Sequence, residues 1–294
     1  MIPQTEIFQN DTPQATVRQP LKTVGNTAIS EPTSILLIYL SLKYINVRCI
    51  LASTRTSQTG HRTGHSDHRR EQNQHKTTKP SSSKGIHIMA NITIFGAGNI
   101  GSAVAGIAVK GGANVQVIDR NPDKATAAAE GVTGAKFGEA AITGDIVVLA
   151  LPFPAYDEAI AAYADQLAGK TVVDVSNPID FTTFDLALPE GAKSAAEYVA
   201  SKLPQSNVVK AFNTTFAATL ASGENDGAPT VVQLAADDEA AKKSVAAFIE
   251  AAGLKTVDSG ALKRAQYLEG YGALQIILGV TEQTPWTAGF KVVK

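Results

Sequence analysis

From Met89 onward the sequence predicts an α/β fold: a doubly wound parallel sheet with a small α/β portion at the C-terminal end. Three observations carry that expectation. Short β-branched runs alternate with small-residue helical stretches along the whole segment. A G-x-G-x-x-G lies between the first such run and the first helix. An acid closes the second run about twenty residues further on, where a nucleotide-binding βαβ unit carries one.

The elements follow in order. "NITIF" (residues 91–95) is apolar, β-branched and of strand length. It ends in Gly96-Ala97-Gly98-Asn99-Ile100-Gly101, whose last part opens the helix "SAVAGIAVK"; Gly111-Gly112 closes that helix and residues 113–119 form the second strand. Residues 145–152 ("DIVVLALP") read as a buried strand. The helix after it, residues 154–167, aligns Ile160, Tyr163 and Leu167 on one stripe. Strands 170–178 and 207–214 then flank the helix 194–204. A Gly/Asn/Asp loop (222–229), strand 230–237, helix 239–252, strand 255–260 and a last helix over 262–279 complete the chain. The expected division is a dinucleotide-binding domain over 89–214 and a smaller acceptor-side domain over 215–294.

Composition sets the chemistry that is excluded. Residues 1–88 hold 11 Lys/Arg against 5 Asp/Glu, whereas residues 89–294 hold 15 against 22. All five histidines and the single Cys49 precede Met89. The later segment therefore builds no thiolate nucleophile, no Ser–His triad and no His/Cys zinc site. It has no disulfide framework either, which suits a reducing, cytoplasmic setting. An acidic segment whose two arginines are Arg120 and Arg264 argues against nucleic-acid binding. The first 88 residues are rich in Thr, Ser, Gln, Asn and Arg, without core periodicity, and read as a disordered extension ahead of a true start at Met89. A transit segment is the main rival reading. Residues 34–52 are apolar, but Lys43, Asn46 and Arg48 interrupt them, which disfavours a membrane anchor.

The glycines explain why the loop suits a dinucleotide. Gly96 permits a tight turn, Gly98 lets the backbone approach a pyrophosphate, and Gly101 lets helix and strand pack closely. Ala97, Asn99 and Ile100 complete the loop, and the helix N-terminus offers N–H groups and a positive dipole end to phosphates. Strand ends at Leu151–Phe153, Asn177 and Asn213 are expected to converge on the same crevice. Asp119 is placed to accept from an adenosine ribose, which reads as NAD. Arg120, with Lys124 one helical turn on, reads as a fork for a 2′-phosphate and hence NADP. Both remain open on the residues alone, because Arg120 and Lys124 also suit the solvated start of a surface helix.

With these residues in place, the segment resembles the NADPH-dependent deazaflavin (coenzyme F-420) reductase family, relatives of the reductase domain of STEAP-type metalloreductases. The carriers are "GAGNIGSA", "VIDRNPDKA", "DIVVLALPF", "SAAEYVASKLP", "KAFNT", "AADDEAAKK", "DSGALKRAQYLE" and the terminal "GF". The resemblance spans residues 91–290. It implies NADP as cofactor, with NAD kept as the alternative by Asp119, which stands where the family usually has a small hydroxyl residue. It also implies hydride transfer between NADP(H) and a flavin-like or deazaflavin acceptor. Pro152 and Phe153 would lie near the nicotinamide, and Asn213, Thr214 and Thr215 on the acceptor side. The chain departs from the archaeal deazaflavin-using members at Asn213, where they have His, and at Gln266 and Gly272, where they have Arg and Thr. No catalytic side chain and no metal are expected, and the partner is a small-molecule hydride acceptor; a homodimer is compatible with the sequence. Two rivals are a non-catalytic NAD(P)(H)-sensing module and an imine or β-hydroxy-acid reductase. The second usually carries a long helical domain, for which the stretch after Thr214 is short.

Overall fold

The structure, a computed structural model, describes residues 90–293; the expectations for the first 88 residues lie outside them. The first βαβ unit consists of β1 (Asn91–Phe95), α1 (Asn99–Lys110) and β2 (Asn114–Asp119). Next come α2 (Pro122–Thr126), β3 (Thr133–Lys136), β4 (Ile146–Leu149), α3 (Tyr156–Leu167), β5 (Thr171–Asp174), α4 (Ala195–Lys202) and β6 (Asn207–Lys210). The remainder holds α5 (Ala217–Ser222), β7 (Glu224–Asn225), β8 (Ala228–Pro229), β9 (Val231–Ala236), α6 (Glu239–Ala251), β10 (Lys255–Asp258) and α7 (Ala265–Val280).

Eight of the strands form one sheet in the order β10-β9-β6-β5-β4-β1-β2-β3. The strands β1 to β6 pair in parallel, as helical crossovers between strands require. The helices cover both faces. On one, Ala103, Val104 and Ile107 of α1 join Val245, Phe248 and Ile249 of α6. On the other, Tyr156, Ile160 and Tyr163 of α3 join Val199 of α4 and Ala265 of α7. The doubly wound α/β fold is thus present, and burial on both faces accounts for strands such as "IVVL" that read as continuous apolar runs.

Some details differ from the sequence expectation. The strands end earlier, because after Leu149, Asp174 and Lys210 the chain leaves the ladder and turns into loops at the sheet edge. Edge strand β3, "TGAK", went unread: a Gly and a Lys in four residues leave no apolar alternation, which suits an edge. Helix α5 and the β7–β8 hairpin also occupy a stretch without periodicity. Within the eight-stranded sheet one pairing is antiparallel, β6 with β9, so β9 and β10 extend that sheet from the part of the chain after residue 214. Among the described residues no helix is long and apolar enough to cross a membrane, and no group of His, Cys, Asp and Glu is arranged to hold a metal.

Candidate active site at the strand ends

Strand register builds the site. Ile118, Phe95, Leu149, Asp174 and Lys210 are successive Cα partners across β2, β1, β4, β5 and β6. They form one transverse row at the carboxyl edge of the sheet. The residues that follow each of them include every predicted site residue, and beyond Asp119, the last residue of β2, the chain leaves the sheet at this edge. This is where open α/β sheets bind ligands.

The glycine loop has the geometry its three glycines imply. Gly96 has φ +99°, and a Cβ there would stand 2.4 Å from the Ala150 carbonyl oxygen. A Cβ on Gly101 would stand 2.0 Å from the Gly96 carbonyl oxygen, so the helix start and the strand end can meet only without a side chain. Gly98 is different: it is exposed, and a Cβ would meet nothing within 4 Å. Its missing side chain serves no contact within the protein. It is also the N-cap of α1 with no side chain bonding the first turn, which leaves that end to an outside acceptor. Exposed Asn99 and half-buried Ala97 and Ile100 complete the loop.

Asp119 is drawn into the loop. Its Oδ2 accepts from Ala97 N at 2.9 Å and its Oδ1 from Asn121 N at 2.9 Å. The carboxylate thus ties β2 to the glycine turn. Asn121 caps α2 through Asp123 N and Lys124 N, and so fixes the short helix on which Lys124 stands. The side chains of Arg120 and Lys124 are exposed and, among the described residues, engaged in no ion pair. Two free cations beside a carboxylate already occupied by backbone donors favour a ligand with an extra anionic group.

Ala150 N donates to Phe95 O, and Leu151 reaches within 3.1 Å of a Cβ built on Gly96, so residues 150–153 adjoin the loop. Exposed Pro152 opens a short 3-10 turn, and Phe153 packs edge-on against Tyr156 and Tyr198 at 5.5 and 5.7 Å between ring centres. Further along the same edge Asn177 and Asn213 form a reciprocal pair. Asn177 Nδ2 donates to Asn213 O at 2.7 Å, and Asn213 Nδ2 donates to Asn177 Oδ1 at 2.9 Å and to Leu268 O at 2.8 Å. These two donations fix the amide's orientation and leave Asn213 Oδ1 buried without a partner among the described residues. Phe212, just before, holds φ +65°, with Asn213 N donating to Ala211 O in a tight three-residue turn. Positive φ at a bulky residue is strained, and here it sets the position of Asn213. Gly272 of α7 lies directly on the pair: a Cβ would come 2.5 Å from Asn177 Oδ1 and 2.6 Å from Asn213 O. Asn213 and Gly272 are therefore neighbours, and the small residue is what lets the helix close on the amides. Thr214 and Thr215 lie beyond them, lining a narrow cleft with Thr230, Gln233 and Phe290.

A second group at this edge was not anticipated from sequence. Asp174, Lys210 and Glu269 are all fully buried. Lys210 Nζ lies 2.8 Å from Asp174 Oδ2, 2.8 Å from Glu269 Oε1 and 2.6 Å from Ser176 O. Asp174 Oδ1 accepts from Ser176 Oγ at 2.7 Å and lies 2.8 Å from the Tyr156 hydroxyl. Glu269 accepts from Ala195 N and Ala196 N, placing its carboxylate at the positive end of α4. Burial raises the Glu269 carboxyl above its ordinary value and the nearby Asp174 charge adds to this, while Lys210 opposes it. Burial, then the Asp174 charge, pushes Tyr156 well above its usual range, so its hydroxyl stays protonated as a donor. The available signal was one lysine and two acids standing alone in apolar runs, since buried charges need partners.

Comparison with known proteins agrees with this geometry. Residues 91–178 match the family described as NADP oxidoreductase, coenzyme F420-dependent. The chain is 28% identical over 226 residues to the F420-dependent NADP reductase of Methanothermobacter thermautotrophicus, covering 70% of this chain and 96% of that protein. The chain is similar to that reductase along nearly the whole of that protein's length. It is also 33% identical over 178 residues to the metalloreductase STEAP3 of Rattus norvegicus, covering 60% of this chain but only 35% of that protein. Among solved structures, a candidate F420-dependent NADP reductase from Arthrobacter sp. FB24 superposes with a TM-score of 0.60 at 27% identity. That match covers 69% of this chain and 99% of that structure.

Proposed function

We propose that the chain is an NADPH-dependent oxidoreductase that passes a hydride between NADP(H) and a flavin-like or deazaflavin ring. The observation that carries this reading is the loop 96–101. Its outer glycines are required by contacts inside the protein, whereas Gly98 faces open space at an uncapped helix end. The residues fit the cofactor. The loop N–H groups and the α1 dipole would hold the pyrophosphate, and Arg120 with Lys124 the 2′-phosphate. Asp119 serves the turn; NAD remains the alternative cofactor that its carboxylate supports. When bound, NADPH supplies the hydride, and the protein's task is to hold two rings in contact and exclude water. Leu151, Pro152 and Phe153 would bound the nicotinamide. Asn177 would lie with them on the cofactor side, and Asn213, Thr214 and Thr215 toward the acceptor. No side-chain acid or base is assigned, in keeping with a segment that lacks histidine and cysteine. We place the loop and the cationic pair in a dinucleotide half, residues 89–214, and the acceptor-closing α7 in the remainder.

The test is an oxidation screen of NADPH and NADH against flavins, a deazaflavin, quinones and ferric chelates. The departures at 213 and 272 lead us to expect slow or absent turnover with the deazaflavin and measurable turnover with a flavin-type acceptor. Tight NADPH binding with no turnover on any acceptor would instead favour a cofactor-sensing module.

A further inference from the structure

We infer that Lys210 is a positioning residue for the acceptor side of the crevice; this inference rests on the hydride-transfer reading above. An ammonium has three protons, and Lys210 directs its three at acceptors from three elements: Asp174 ending β5, the Ser176 carbonyl in the loop beyond it, and Glu269 on α7. Each of the last two acceptors is next in sequence to a residue of the amide pair's surroundings. Ser176 precedes Asn177, and Glu269 follows Leu268, whose carbonyl takes the Asn213 amide. Lys210 itself stands three residues before Asn213 on the same chain. One buried ammonium therefore fixes the backbone on all sides of the Asn177–Asn213 pair, and holds α7 at the distance that brings Gly272 onto it.

Stability alone gives little reason for such a group. A buried ion network is often no more stabilising than well-packed apolar side chains of the same volume. What an apolar side chain cannot do is tie two side chains and a backbone carbonyl from three segments to one atom. Misplacement of a reacting group by about an ångström is enough to lower a rate by roughly a hundredfold, so the geometric role has a large consequence.

The experiment compares Lys210→Met, a neutral triple variant (Asp174→Asn, Lys210→Met, Glu269→Gln) and Glu269→Gln with wild type. FMN, or the best acceptor of the screen above, is used at a temperature where circular dichroism shows the variant folded. Lys210→Met is expected to lower kcat by roughly 10- to 100-fold and raise the acceptor KM, with the NADPH Kd changed by less than about twofold. The triple variant is expected to regain the melting temperature but not kcat, since no buried charge is orphaned while the three-way tie is still missing. Recovery of kcat together with melting temperature would reduce Lys210 to charge balance and overturn the inference. Should Lys210→Met fail to fold, Glu269→Gln decides: a lower kcat with unchanged NADPH affinity supports the role, and an unchanged kcat refutes it. Absence of wild-type turnover with every acceptor would remove the hydride-transfer reading itself, and is seen before any variant is made.

Discussion

The two halves of the crevice are built by opposite means. At the glycine loop, contiguous residues make the site, and each works by lacking a side chain or by offering a backbone N–H. At the Asn177–Asn213 side, residues from β5, β6, α4 and α7 meet, and each works through side-chain hydrogen bonds over sequence separations of 34 to 74 residues. The first kind of site leans on few distant groups, chiefly the Ala150 carbonyl that crowds Gly96 and the Asp119 carboxylate that accepts from Ala97 N. The second depends on four elements being docked at once. The proposed cofactor side is thus encoded largely in one window of sequence, and the proposed acceptor side across four elements.

The largest expected effect is on the globally built side. Asp174→Ala removes the acceptor shared by Lys210 and Ser176 and leaves a gap beside Tyr156. Breaking a buried ion pair from one side costs about 3–5 kcal/mol, which urea unfolding at pH 7 would measure. A loss below about 1 kcal/mol, the range of exposed pairs, would mean that the network holds nothing together.

Gly101→Ala should come next, at about 1–3 kcal/mol, because its methyl must displace the Gly96 backbone rather than a flexible side chain. NADPH binding should fall with it. On the same side Arg120→Ala should leave melting unchanged and weaken NADPH by about 1–3 kcal/mol, the range of charge-assisted bonds, with NADH little affected. Isothermal titration with both cofactors checks this. Equal losses for the two would assign Arg120 to the adenine instead of the phosphate.

Protonation sharpens the comparison further. The Glu269 carboxyl is raised in the folded state, so the folded form holds that proton more tightly than the unfolded chain does. Its contribution to stability is fully present below the ordinary glutamate value and is lost as pH rises through the raised one. Glu269→Gln should therefore flatten the pH dependence of unfolding over that acidic window, a difference readable from denaturation midpoints at a series of pH values. The smallest stability effect belongs to Gly98→Ala. With nothing near its Cβ position and φ −79°, the variant should unfold within about 0.5 kcal/mol of wild type. NADPH binding should nonetheless weaken, and unaltered affinity would show that no ligand approaches that backbone.

The sequence by itself determined the alternation of strand and helix, the loop 96–101 and the neighbourhood of Asp119 and Arg120. These rest on short-range rules: apolar period, glycine conformation and helix-end polarity act over a few residues and can be read in one window. Trp286 and Phe290 pack against Phe216 and Tyr271. Tertiary structure alone decided that β9 pairs antiparallel to β6, that Asp119 is spent on the turn, and that Thr214 and Thr215 face a cleft with Phe290. It also decided that Asp174 and Glu269, 36 residues before and 59 after Lys210, share its ammonium as donor in a dry interior. A charge in an apolar run announces in sequence that a partner must exist. Which partner it finds is settled by strand register and helix docking, because the cost of burying it is met only where those elements come together.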